Sequence, residues 1–357
     1  MERIDNCTSQ DLDEMAKGYY AFLNPFKKKV KTRINSNGKR EKIYEPYKKS
    51  LLGRINSERQ NAVNLGNQNQ IDFWDFLLAK DCKLLKAIIC SRPRVLHFIT
   101  NIIDKKFGKI FLSKYISYDE AELTPFGKIV SEVFDYSTQY RSKDICIDNC
   151  NELELQICPY CNILSIDIIK FTKDLNSEEK QLALHQLDHF YPQVRYPYLA
   201  LSFFNLIPGC TPCNAQLKRE KDFKISTHFN PFEKSFDDFF CFKVNTLLPD
   251  NKESIEITLK NARNYPENAI KDFKILERYN QNHKLQIFNF LKCFKYYTPE
   301  VSRSHMTQFP DLYSEKIKAE DSLLEALGVP LEKKLINKYS LGKIKRDISL
   351  ELDLLLK

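Results

Sequence analysis

The fold is decided by two stretches, CPYC at residues 158–161 and HQLDHFYPQVRYPYLALSFFNLIPGCTPCNAQLK at residues 185–218. Each stretch contains a Cys-x-x-Cys pair, which places two thiolates on one tight turn. Two such pairs can surround one zinc ion tetrahedrally, and four thiolates leave no open position for a reacting water. We therefore predict a structural zinc knuckle, formed by Cys158, Cys161, Cys210 and Cys213.

Other interpretations of the cysteines stay open at this point. The chain has 11 cysteines, and an odd count without a secretion signal fits reduced thiols better than a disulfide framework. A single Cys-x-x-Cys can also be a redox dithiol or two unrelated buried cysteines. Cys146 and Cys150 show that two cysteines of this chain lie close together in the sequence outside any such pair. A redox protein would form a reversible disulfide between Cys158 and Cys161 and would bind no zinc.

Between and around the pairs the sequence contains Asp188-His189, Asn205-Leu206 and Asn214 followed by Lys218. This arrangement resembles the HNH endonuclease motif of the ββα-metal superfamily. It is most similar to the subgroup in which two Cys-x-x-Cys knuckles bracket the motif. The third motif position is asparagine here instead of histidine. The resemblance extends over residues 158–218 and indicates nothing about the fold of the remaining chain.

The resemblance implies hydrolysis of phosphodiester bonds. His189 would be the general base, since imidazole is the side chain whose ordinary pKa lies nearest neutral pH. Asp188 and Asn214 would hold one catalytic Mg²⁺ or Mn²⁺ ion, which would stabilise charge at the phosphate. Asn205 would hold the loop that orients His189, and Lys218 would contact a neighbouring phosphate.

The expected local structure has the order strand, loop and helix. Residues 181–190, QLALHQLDHF, are predicted to form a strand, and residues 214–218 are predicted to open a short helix. A regular strand sends Asp188 and His189 to opposite faces. A bulge, or the end of the strand, is therefore needed near them if both serve one site.

A basic segment precedes this region. Residues 27–59 contain twelve Lys or Arg and three Glu, a local charge of +9 in a chain whose net charge is +8. Such a segment attracts nucleic acid by neutralising phosphate charge, although a solvated surface explains it equally well. A β-hairpin is predicted near residues 27–47, turning at Asn37-Gly38. The candidate nucleic-acid contacts are Lys27, Lys28, Lys29 and Lys31.

The predicted fold class is α+β, with a zinc-knuckled ββα-metal (HNH) nuclease module embedded in a mainly α-helical chain. Residues 1–150 would form a basic, mainly helical N-terminal region, and residues 151–230 the nuclease module with its knuckles. Residues 231–357 would contain short strands and then helices. A zinc-dependent nucleic-acid-binding module without catalytic activity stays open as the alternative function.

Location and partners follow from the remaining patterns. No stretch approaches the roughly 20 apolar residues of a membrane span, and the start of the chain lacks a signal-peptide pattern, so we expect a cytoplasmic protein. The resemblance implies nucleic acid as the partner, with DNA favoured, in a bacterial defence or mobile-element system. In such systems a partner ATPase or sensor protein controls the cut. The sequence contains no GxxxxGK[ST] loop, so any ATP hydrolysis would come from another chain.

Overall fold

The computed structural model describes residues 3–4, 7–25, 31–34, 40–43, 47–172, 179–296, 304, 307–308 and 324–352. Along them, helices are combined with small antiparallel sheets of two strands each. This mixture confirms the expected α+β class. It does not by itself establish the nuclease fold.

The N-terminal region is mainly helical. Its helices are α1 (Ser9–Leu23), α2 (Leu51–Asn64), α3 (Gln68–Cys90), α4 (Pro93–Phe107), α5 (Pro125–Val133) and α6 (Asp144–Glu152). Short polar side chains define several of the starts: Thr8 and Asp11 form a capping box at α1, and Ser50 and Thr124 cap α2 and α5. The buried faces meet around the fully buried rings of Phe73 and Trp74.

Helix α3 is interrupted in its middle. The apolar spacing of this segment predicts a continuous helix, but Lys80, Asp81 and Cys82 adopt positive φ angles of 50°, 56° and 60°. Left-handed backbone at residues other than glycine costs about 1–2 kcal/mol each. Leu77 and Leu85, on either side, are fully buried. The burial of both halves of the helix therefore outweighs the local strain. The spacing of apolar residues alone does not predict this interruption.

Two small hairpins belong to the same region. Strands β1 (Lys31–Ile34) and β2 (Arg40–Ile43) pair antiparallel where the sequence predicts a hairpin, and β3 (Ser113–Tyr115) pairs with β4 (Ala121–Leu123). The lysines at positions 27, 28 and 29 lie outside the described residues, as does the side chain of Lys31. The predicted nucleic-acid contacts of these four lysines stay predictions.

The central region holds two further hairpins. Strand β5 (Ile168–Phe171) pairs with β6 (Lys180–Ala183), and β7 (Gln186–His189) pairs with β8 (Leu206–Gly209). The single strand expected over residues 181–190 is wrong, because the chain changes partner between β6 and β7 and enters a second sheet. A π-helical turn, Pro212–Lys218, follows β8 and packs against β7.

The C-terminal region begins with the expected pair of strands, β9 (Phe240–Val244) and β10 (Ile257–Asn261), which are antiparallel. Helices α7 (Asn268–Asp272), α8 (Ile275–Asn282), α9 (Lys284–Tyr296) and α10 (Gly342–Glu351) follow. Phe240, Phe242 and Val244 alternate with partly exposed residues along β9. This period of two buries one face of the hairpin, and α10 packs against β9.

The C-terminal segment contacts the first knuckle through Asn162. The amide oxygen of Asn162 accepts a hydrogen bond from the backbone N–H of Lys343 at 2.8 Å, and its amide nitrogen donates to the carbonyl of Ile336 at 2.9 Å. The Asn162 carbonyl accepts from the backbone N–H of Leu341 at 2.7 Å. Asn162 has a φ of 54°, a left-handed conformation that asparagine tolerates better than most residues. The knuckle and the C-terminal region therefore pack as one unit.

A buried carboxylate on α10 predicts a pH-dependent stability. Burial raises the pKa of Asp347 to about 6, although the ammonium of Lys343 beside it lowers the pKa. Between about pH 4 and pH 6 an unfolded aspartate has lost its proton while Asp347 in the folded chain retains it, so stability falls as the pH rises. The free energy of unfolding should fall by up to about 3 kcal/mol across this pH range, and Asp347→Asn should remove that fall.

Urea denaturation at several pH values measures this effect. Asp148→Asn, at an exposed aspartate, is the matched control and should keep the wild-type profile. A wild-type profile in Asp347→Asn would contradict the assignment.

Candidate metal centre and active site

The four cysteines of the two Cys-x-x-Cys pairs converge. Their sulfur atoms all lie within 4.8 Å of one another, and all four residues are buried. The Sγ atoms of Cys161 and Cys210 are 3.9 Å apart. A tetrahedral zinc ion with Zn–S bonds of about 2.3 Å separates its sulfurs by about 3.8 Å, so the cluster could hold a structural zinc.

Short-range backbone contacts shape the first knuckle. Asn162 N–H donates to the carbonyl of Cys158 at 2.8 Å, and Cys158 N–H donates to the carbonyl of Leu164 at 2.9 Å. The backbone N–H of Cys210 lies 3.3 Å from the Sγ atom of Cys158 and points towards it. An N–H directed at a sulfur stabilises the thiolate form that zinc requires. A backbone N–H of the second knuckle therefore stabilises a thiolate of the first.

Two residues of helix α8 contact the cysteines of the cluster. The guanidinium of Arg278 donates to the Sγ atom of Cys213 at 3.4 Å, and the hydroxyl of Tyr279 donates to the carbonyl of Cys161 at 3.0 Å. Burial lowers the pKa of Arg278, but the thiolates of Cys161 and Cys213 outweigh this and raise it. A zinc ion with four thiolates carries a net charge of −2, which a cation in contact partly offsets. Arg278 is not predicted from the sequence, since no local pattern connects it to cysteines far along the chain.

His189 stands at the end of strand β7, with one ring nitrogen held in place. Its Nε2 atom lies 3.0 Å from the carbonyl oxygen of Ala200, so Nε2 carries the hydrogen and Nδ1 is the basic nitrogen. Among the described residues, Nδ1 has no hydrogen-bonding partner. The Tyr136 ring contacts the imidazole edge-on, with 4.8 Å between ring centroids.

The surroundings of His189 keep its imidazole neutral. Burial lowers its pKa to about 4, although the hydrogen bond to Ala200 and the charge of Asp188 raise it. At neutral pH the ring is therefore unprotonated and can accept a proton. This is the protonation state that a general base requires.

Asn205 clamps the loop between β7 and β8. It is fully buried, and its amide oxygen accepts from the backbone N–H of Tyr191 at 2.7 Å. Its amide nitrogen donates to the carbonyls of Tyr191 at 3.2 Å and Leu199 at 3.0 Å. Leu199 precedes Ala200, the residue that holds His189. Asn205 is therefore placed where it can orient the imidazole through the loop.

Asp188 is buried, and both of its carboxylate oxygens are engaged. Tyr160 donates its hydroxyl hydrogen to Oδ2 at 2.5 Å, and the Lys218 ammonium lies 3.0 Å from Oδ1. Lys218 also donates to the carbonyl of His189 at 2.7 Å and is only 1% exposed. The expectation that Lys218 contacts a phosphate is therefore wrong for this arrangement, because its ammonium is enclosed and ion-paired inside the protein.

The residues expected to hold a catalytic Mg²⁺ or Mn²⁺ ion do not form a ligand set as they stand. Asn214 donates its amide hydrogen to Gln186 at 2.9 Å, a bond that does not use its amide oxygen, but the Asp188 carboxylate is neutralised by Lys218. A hard divalent cation needs several free oxygen ligands and no ammonium among them. We assign no catalytic step to such an ion.

Strand β7 keeps a continuous register with β8, from Gln186 opposite Gly209 to His189 opposite Leu206. No bulge lies between Asp188 and His189, and their side chains have separate contacts. Asp188 meets Tyr160 and Lys218, while His189 meets the loop. The strand does end at His189.

Comparison of the chain with protein-family models, curated proteins and solved structures gives no match. Within the described ranges, no helix combines the length and apolar composition that crossing a lipid bilayer requires. Function is therefore inferred from the geometry of the chain's own residues.

Proposed function

We propose that the chain is an HNH-type endonuclease that hydrolyses phosphodiester bonds in nucleic acid, with DNA as the favoured substrate. The observation that carries the proposal is the geometry of His189. Its Nε2 atom is fixed to a loop carbonyl, its Nδ1 atom has no partner among the described residues, and its pKa keeps it neutral.

The remaining residues of the module support this role. Asn205 fixes the loop whose Ala200 carbonyl sets the tautomer of the imidazole. A zinc ion on the four thiols would join the first knuckle to the end of strand β8 and so hold the hairpin that carries His189. In this proposal His189 takes a proton from the water that attacks the phosphate.

The divalent ion implied by the resemblance remains outside the mechanism. It could reach the carboxylate of Asp188 only after the ammonium of Lys218 had moved away. We propose that an ATPase or sensor partner, which the resemblance to HNH endonucleases implies, triggers this rearrangement.

The ion pair between Asp188 and Lys218 favours a second candidate function. An enclosed carboxylate with a lysine partner is typical of a structural site. A zinc-stabilised module that binds nucleic acid without cutting it would retain both residues in this arrangement. Binding without cleavage by the wild-type chain is the result that this candidate predicts.

The test is cleavage of supercoiled plasmid and of single-stranded oligonucleotides by the full chain, with Mg²⁺, with Mn²⁺ and with neither ion added. His189→Ala should cut at least about a hundredfold more slowly, since general bases contribute roughly 10²–10⁴-fold. His185→Ala, at a half-buried histidine four residues earlier, is the control and should cut like wild type.

Thermal unfolding of the three proteins checks that they are folded alike. Cleavage by His189→Ala at the wild-type rate would end the proposed role of this residue. If the wild type binds DNA but does not cut it under any of these conditions, the second candidate replaces the first.

A further inference from the structure

A cavity of about 890 Å³ lies in the N-terminal region, between the end of α1, the start of α2 and the turn before α6. Four basic side chains line it, and none of its described lining residues is acidic. They are Lys48, Lys49, Arg54 and Lys143. The three lysines are exposed, while the Arg54 guanidinium also donates to the carbonyl of Val133 at 3.4 Å. The charge of this cavity is complementary to a polyanion.

Two exposed aromatic rings stand among these cations. Phe22 is 39% exposed and Tyr47 is 45% exposed, although rings of this size are usually buried. The backbone beneath Tyr47 is fixed, because its N–H donates to Pro25 at 3.3 Å and its carbonyl accepts from the hydroxyl of Ser50 at 2.6 Å. Cations interleaved with accessible rings form the typical surface for single-stranded nucleic acid, where phosphates meet lysines and bases stack on rings.

A short segment of the chain links the wall of this cavity to the candidate base. Thr138 and Gln139 line it, and both lie in the short π-helical segment Ser137–Arg141. Tyr136, which directly precedes this segment, has its ring against the imidazole of His189. One helical turn therefore connects the cavity wall to the residue that would act on the phosphodiester.

We propose that this cavity binds a single-stranded segment of a polynucleotide, with its phosphates on Lys48, Lys49 and Lys143 and a base stacked on Tyr47. The location of the cut relative to this segment rests on the proposed nuclease function. The binding itself does not. Single-stranded nucleic acid is favoured over a duplex because paired bases are stacked on one another and cannot reach the rings.

The experiment measures binding of a fluorescein-labelled oligothymidylate to the full chain by fluorescence anisotropy, between 50 and 200 mM salt. The Lys48→Ala/Lys49→Ala/Lys143→Ala variant should bind at least about tenfold more weakly. The slope of log affinity against log salt should fall by about 2, since each phosphate contact to a single strand contributes about 0.7. The matched control replaces three exposed lysines elsewhere, Lys83, Lys260 and Lys271, and should bind like wild type.

Variants of Tyr47 test stacking separately from charge. Tyr47→Ala should lose about tenfold in affinity, and Tyr47→Phe should retain wild-type affinity because stacking needs the ring and not the hydroxyl. The proposal is overturned if the lysine variant binds like its control, or if a duplex of equal length competes as well as the single strand.

Failure of this site and failure of the nuclease assignment give different results. If the lysine variant binds weakly while His189→Ala cuts like wild type, the binding site stands and the nuclease role of His189 falls. If His189→Ala stops cleavage while the lysine variant keeps full affinity and salt slope, the binding site alone is refuted.

Discussion

A Cys161→Ser variant is expected to lose its zinc and much of the stability of the chain. Structural zinc binds its ligands with about 10–16 kcal/mol in small zinc-binding peptides, which is comparable with the whole stability of a typical domain. The four thiols are buried together, and without the ion the bonds that join the two knuckles at this point are lost. We expect the thermal midpoint to fall by about 10 °C or more, as measured by circular dichroism.

The matched control for this variant is Cys241→Ser. Cys241 is half-buried in strand β9 and lies outside the cluster, so its replacement should change the midpoint little. A strong zinc chelator should lower the midpoint of the wild type and of the control, but not that of Cys161→Ser. Equal effects of the two serine substitutions would show that the four thiols do not act as a metal site.

Lys218→Met is expected to destabilise the chain by about 3–5 kcal/mol. The substitution leaves the Asp188 carboxylate buried with the Tyr160 hydroxyl as its one remaining partner among the described residues, and an unpaired buried charge carries a penalty of this size. Lys218 also holds the carbonyl of His189, so the end of strand β7 should loosen as well. Urea denaturation of the purified variant measures the loss.

A double variant distinguishes the charge pair from simple packing. Lys218→Met/Asp188→Leu removes both charges and should recover much of the lost stability, as replacing a whole buried pair often does. Lys221→Met, at a partly exposed lysine 3.7 Å from Asp272, is the matched control and should cost less than about 1 kcal/mol. Additive effects of the Asp188 and Lys218 substitutions would show that the two residues are not coupled.

The parts of the site that sequence analysis predicted are those set by short spacings. A spacing of two residues between paired cysteines favours a tight turn, independently of the rest of the chain. The convergence of the four thiols could therefore be expected from residues 158–161 and 210–213. The strands β9 and β10 follow from alternating apolar residues for the same reason.

The parts that sequence analysis missed depend on distant partners. Residues 181–190 read as one strand, yet β6 and β7 pair with β5 and β8, which lie on opposite sides of them along the chain. Arg278 reaches the cysteine cluster only because helix α8 packs there. Neither arrangement leaves a local pattern in the sequence.

Lys218 shows why a motif position does not determine the environment of a side chain. Its place four residues after Asn214 predicted an exposed cation facing a phosphate. The turn Pro212–Lys218 instead closes over strand β7, and the ammonium enters a buried space between Asp188 and the Phe223 ring, 5.0 Å from that ring's centroid. The outcome depends on tertiary packing, which the spacing does not contain.

The stability of the two knuckles, and of the hairpin that carries His189, depends on one zinc ion joining residues 158–161 to residues 210–213. The most direct test is the zinc content of the purified full chain, measured by mass spectrometry of the element after gel filtration. We expect one zinc ion per chain in the wild type and in Cys241→Ser, and loss of the ion in Cys161→Ser. A folded wild-type chain without zinc, carrying a disulfide between Cys158 and Cys161, would contradict the account.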